Sequence, residues 1–251
     1  MNREPFVRIS RRSSIPAWKA WLIRLTAILI SLVLCGILIF ALVNLNPLKV
    51  YVTMWQGAFS TSKRCWITIR DCMMLLCIGV GLAPAFRMRF WNIGAEGQIL
   101  VGGIATAACM LYFQNLPTPL LLLIMAVVSI AAGALWGLVP ALFKARWETN
   151  ETLFTLMMNY IAIQLTSFFV SKWENPYGSN SVGIINRTTQ AGWFPSLFGQ
   201  QYLLNVIIVL ALTIGMFIYL KYSKHGYEIA VTGESERTDR YTGIKGPRTI
   251  V

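Results

Sequence analysis

Apolar residues run continuously, without strict alternation, in six stretches of the chain, at about 22–43, 66–86, 92–113, 120–143, 151–170 and 203–222. Each approaches the roughly 20 residues that a helix needs to cross the hydrocarbon core of a bilayer. Hydrocarbon offers no partners to open backbone groups, so helices and closed barrels are the available spanning structures. A barrel strand would alternate apolar and polar positions. The expected fold class is therefore all-α, a polytopic transmembrane helical bundle of about six spans. A basic tail at 1–21 and a polar segment at 223–251 flank the spans at 22–222.

Composition agrees with that pattern. Of the 251 residues, 56% are hydrophobic and 13% charged, against about 25% charged in a soluble domain. The net charge of +12 comes from basic residues spread among the loops, with none of the aromatic-interleaved patches of a nucleic-acid binder. Sixteen of the 22 basic residues fall on the side of the membrane that holds both termini, and six fall on the other. Cytoplasmic loops collect Lys and Arg, so both termini are expected in the cytoplasm. The long N-terminal apolar run has no A-x-A cleavage site after it and reads as a retained signal anchor.

Little of the remaining chemistry points to catalysis. There is one histidine, His225, and the five cysteines form no Cys-x-x-Cys pair. No metal centre, catalytic residue or cofactor bound by this chain is expected. No G-x-x-x-x-G-K-[ST] loop occurs, so any ATP chemistry belongs to another chain. A proton-coupled carrier would want several deeply placed acids or histidines, and only Glu96 and Asp71 come near that description.

Three polar features interrupt the apolar pattern. "NIGAEGQ" at 92–98 stands at the mouth of the third run. On a helix over 92–113, Asn92, Glu96, Gly103 and Thr106 share one stripe, and Gln98 points elsewhere. In the fifth run Glu151, Thr155, Met158, Asn159, Ala162 and Thr166 share a broad face, with Asn159 about 13 Å deep. Intramembrane polar groups are functional candidates. Asn92, Glu96, Gln98, Glu151, Thr155 and Asn159 are thus candidates for a solute pathway, the alternative being helix caps and interhelical hydrogen bonds. In the polar tail, Gly233 suggests a turn. Glu234 and Glu236 then open a short helix that Arg237 and Arg240 close, matching the helix dipole. "GALWG" at 133–137 reads as a close-packing Gly-x-x-x-Gly pair. Residues 171–202 read as a long loop on the far side.

"FRMRFWNIGAEGQILVGG", "ETNETLFTLMMNYIA" and "GYEIAVTGESERTDRYTGI", in that order and spacing, resemble successive motifs of ABC importer permeases. The resembled branch serves nucleosides and simple sugars and works with basic-membrane-lipoprotein-type binding proteins, within the ribose-type permease superfamily. It implies the N-terminal part of a type II importer permease fold and alternating access driven by separate ATPase subunits, which hold ATP and Mg. It also implies a second permease subunit, same or related, an external substrate-binding lipoprotein, and location in the cytoplasmic (inner) membrane of a prokaryote. Residues 223–251 become the coupling segment, with Gly233, Glu234, Glu236, Arg237, Arg240 and Gly243 as ATPase-coupling candidates. Arg89 stands where the family usually has glycine, and Thr238 and Asp239 where it usually has alanines. The chain ends at "GIKGPRTIV", where family members continue with further helices, so the resemblance implies truncation. The competing expectations are an inactive truncated permease and a secondary transporter or channel independent of ATP.

Overall fold

The computed structural model describes residues 16–234. These form eight helices: α1 (Ala17–Val43), α2 (Pro47–Phe59), α3 (Ser62–Arg87), α4 (Ala95–Tyr112), α5 (Thr118–Trp147), α6 (Glu151–Lys172), α7 (Leu203–Tyr222) and α8 (Lys224–Glu234). All but α2 and α8 are long and apolar enough to span a membrane. The chain is a multi-pass, all-α membrane protein. The six long helices start and stop within five residues of the apolar runs.

Three local differences from the sequence expectation have physical causes. Helix α2 lies in what the hydropathy pattern leaves as a connector. At 13 residues it reaches only about 20 Å, too short to register as a span. It is nonetheless well started, because Asn46 Oδ1 accepts from the Leu48 amide at 3.0 Å and Pro47 occupies the first turn, where its missing N–H costs nothing. The second difference is that α4 begins at Ala95, not at residue 92. The third is that Gly233 is helical, the penultimate residue of α8, and makes no turn there.

The chain divides into two compact units, residues 1–68 and 69–251. In the first, α1 and α2 fold back on one another through Asn44, whose φ of 54° reverses the chain. Gly36 lets Pro47 approach, and Tyr51 donates to the Leu32 carbonyl at 2.6 Å.

In the second unit α4 packs chiefly on α5 and then on α6, and α7 packs on α8. Pro84 and Pro140 lie inside α3 and α5, where each removes one intrahelical hydrogen bond. The loop after α6 is folded onto the ends of α4 and α5. Asn186 Nδ2 donates to the carbonyls of Met110 and Ala191, at 2.8 and 3.0 Å, and Trp193 Nε1 donates to the Ile185 carbonyl. Beneath that loop Cys109, Leu121, Met125 and Ala191 form a buried apolar cluster. At the opposite end of the unit, the C-terminus of α3, the N-termini of α4 and α6, and α8 come together.

Candidate functional site

The segment between α3 and α4 is built from hydrogen bonds. Arg89 ends α3 in the left-handed region, at φ 58°, and the Phe90 amide then reaches back to the Ala85 carbonyl at 2.9 Å. A left-handed position favours glycine, and here an arginine occupies it. Phe90 is buried, and Phe86 and Trp91 meet edge to face with ring centroids 5.7 Å apart.

Asn92 therefore lies before the helix and not on a stripe of it. Its Oδ1 accepts from the Gly94 amide at 2.8 Å, an Asx-type turn that shapes the entrance to α4. Asn92 drops out of the expected stripe because residues 92–94 precede the helix, while Glu96, Gly103 and Thr106 remain within α4. Glu96 is exposed in the first turn of α4, where a carboxylate suits the helix dipole.

Thr155 and Asn159 of α6 converge on this turn. Thr155 is fully buried and Asn159 is 5% exposed. Thr155 Oγ1 accepts from the Ile93 amide at 3.2 Å and donates to the Glu151 carbonyl at 2.7 Å. Asn159 Nδ2 donates to the Ile93 carbonyl, and its Oδ1 accepts from the Gly97 amide, both at 2.8 Å. One side-chain amide thus closes two backbone groups of a buried turn, which would cost about 1–3 kcal/mol each if left open. Gly97 has to be glycine for this. A Cβ there would stand 2.8 Å from Asn159 Oδ1, 3.1 Å from Trp136 Nε1 and 3.3 Å from Ala162 Cβ. Trp136 Nε1 is itself buried and has no hydrogen-bond partner among the described residues.

Glu151, at the start of α6, pairs with Lys144 near the end of α5, Nζ to Oε2 at 3.0 Å. Asn150 Oδ1 caps the helix by accepting from the Leu153 amide at 3.2 Å. The pair therefore ties two helix ends together.

Gln98 faces α5. Its side chain lies directly over Gly137, where a Cβ would run into the side-chain amide nitrogen, and its backbone carbonyl is next to Gly133. The Gly-x-x-x-Gly pair thus packs against Gln98. Gln98 also lines a groove of about 570 Å³ along α4, together with Gly102, Gly103, Thr106, Ser129 and, at the far end, Ile185. None of the residues lining it is charged. Gly103 and Thr106 thus share a surface with Gln98, whereas Glu96 and Asn92 do not line it.

Of the coupling candidates, Gly233 is buried in α8 and Glu234 is its exposed last residue. Gly233 presses on the Arg87 carbonyl so closely that no Cβ would fit. Glu236, Arg237, Arg240 and Gly243 lie outside the described residues. Sequence reasoning did not find Arg87, Phe90, Gly97 or Trp136. Only Gly97 carried a usable signal, as a helix-weakening residue inside an apolar run. Among the described residues no cluster of His, Cys, Asp or Glu could hold a metal.

Residues 67–251 match the model of a family described as the branched-chain amino acid transport system / permease component. The chain is 29% identical over 233 residues to the guanosine ABC transporter permease protein NupP of Bacillus subtilis, covering 92% of this chain and 66% of that protein. It is 26% identical to the nucleoside ABC transporter permease protein NupB of Lactococcus lactis subsp. cremoris, covering 92% of this chain and 65% of that protein. To the glucose ABC transporter permease protein TsgB13 of Haloferax volcanii it is 24% identical, covering 97% of this chain and 66% of that protein. The chain thus spans just under two thirds of the length of these relatives. No solved structure matches it.

Proposed function

As the chain belongs to the family of the permease component of branched-chain amino acid transport systems, we propose that it forms transmembrane helices of an ATP-binding-cassette importer for nucleosides or simple sugars. The observation that carries this reading is the family match over 67–251 in a chain with six membrane-length apolar helices. ATP and Mg are held by separate ATPase subunits, and this chain catalyses nothing. A second permease subunit and an external substrate-binding lipoprotein complete the assembly. It sits in the cytoplasmic membrane of a prokaryote with both termini inside, as the distribution of basic residues supports.

Among the pathway candidates, Gln98 is the one we assign to the solute. Its amide makes no side-chain hydrogen bond among the described residues, and the groove it lines with Thr106 and Ser129 carries no charge. An amide and two hydroxyls in apolar surroundings suit a neutral, polar solute. Glu96 stands exposed at the mouth. Asn92, Thr155 and Asn159 shape the entrance by holding backbone, and Glu151 does so through Lys144. Gly233 and Glu234 carry the coupling segment, which continues through Glu236, Arg237, Arg240 and Gly243.

The test is uptake of labelled guanosine and glucose into proteoliposomes holding the complete assembly. ATP-dependent accumulation of either solute is expected. Accumulation driven by a proton gradient, with no ATPase subunit present, would instead identify a secondary carrier.

A further inference from the structure

The geometry points to the 87–97 segment as a stiff strut that carries displacement of α8 to the α4–α6 entrance. This rests on the permease reading above. Its new content is the route, and the positioning roles of Thr155 and Asn159 along it.

The route begins at α8. Gly233 touches the Arg87 carbonyl with no room for a side chain, and a Cβ on it would lie 3.4 Å from Met88 Cα. Arg87 Nη1 donates to the Leu220 carbonyl at 3.0 Å, which fixes the end of α3 to the end of α7. Helix α8 is held to the same place, since a Cβ on Gly226 would meet the Leu220 carbonyl oxygen at 2.5 Å. Displacement of α8 therefore bears on Arg87 and Met88 directly.

From there the chain has little slack. The Met88, Arg89 and Phe90 amides return to α3 carbonyls, and the Asn92 amide donates to the Phe90 carbonyl. The Ile93 amide donates to Thr155 and the Gly94 amide to Asn92 Oδ1. Six of the seven amides from 88 to 94 are thus bonded. At the far end Asn159 grips both Ile93 and Gly97. Coupling between distant sites is carried by such rigid, contiguous elements when both ends bias the same two states. Here the states are the two facings of an alternating-access cycle. Thr155 and Asn159 act through the backbone they hold, and so are positioning residues.

The experiment uses the complete assembly in proteoliposomes and reads solute uptake and ATP hydrolysis in the same preparation. Thr155→Val keeps the volume and removes the acceptor for the Ile93 amide, while Thr155→Ser keeps the acceptor. Thr155→Val is expected to lower solute moved per ATP hydrolysed by about fivefold, with hydrolysis itself within about twofold of wild type. Thr155→Ser is expected to restore the ratio. An unchanged ratio in Thr155→Val overturns the strut, as does an equal loss of uptake and hydrolysis, which marks mere structural damage. If Thr155→Val does not assemble, the same ratio is read in Thr155→Ala and Asn159→Ser, and an unchanged ratio there overturns the proposal equally. Failure of the wild-type assembly to couple uptake to ATP at all would fall on the permease reading and not on the strut.

Discussion

On one side of α4, Gly97 offers its amide to Asn159, Thr155 takes the Ile93 amide, and Ala162 closes the space behind them. On the other side Gln98, Gly103 and Thr106 line an open, uncharged groove, and Gly103 has nothing within 4 Å of where a Cβ would stand. Both sides pair glycines of α4 with polar side chains, which come from α6 on the first side and from α4 itself on the second. The first uses them to satisfy backbone in a buried turn, where an open amide or carbonyl is costly. The second leaves the Gln98 amide without a hydrogen-bond partner among the described residues, while the Thr106 hydroxyl donates to the Gly102 carbonyl at 2.8 Å and keeps only its acceptor capacity. Polar residues at the mouth of a membrane helix therefore divide into those that build the entrance and those that present it.

Substitutions on the two sides should separate accordingly. The largest effect belongs to Asn159→Leu, which keeps the bulk and opens the Ile93 carbonyl and Gly97 amide together. A loss of about 3 kcal/mol is expected, read by denaturation of the purified chain in micelles. Gly97→Ala should follow at about 2 kcal/mol, because the new Cβ displaces Asn159 Oδ1 and costs one of those bonds. If both variants unfold with wild-type stability, the clamp is not what holds the turn. Arg89→Gly should move the other way, gaining about 1 kcal/mol by relieving a left-handed residue. The smallest effect is Gly103→Ala on the open side, within about 0.5 kcal/mol of wild type. A loss there as large as that of Gly97→Ala would erase the difference between the two sides.

Much of this was legible in the sequence. Span positions follow from hydropathy alone, since each apolar run must be long enough to cross the core. Asn159 and Thr155 could be picked out as neighbours on one face of a helix by its period. What the period could not supply was their partner, because the Ile93 and Gly97 backbone lies more than 60 residues away in sequence. Asn92 was misplaced for a related reason. Asparagine bonds its own following backbone as readily as it joins a helix, and here the turn won. Helix α2 left a signal in Asn46 and Pro47, but a search for full spans passes over a helix of that length. The contact between Gly233 and Arg87 had no signal in one sequence beyond the presence of a glycine.

The division between the two sides of α4 is tested most directly by the KM for uptake of the solute, guanosine or glucose, that the complete assembly accumulates, measured with Gln98→Ala. The substitution removes an amide from the groove and touches none of the bonds of the clamped side. A KM raised about fivefold is expected, with the thermal midpoint of the chain unchanged. A KM equal to wild type, in a transporter of equal stability, would contradict the assignment of the open side to the solute.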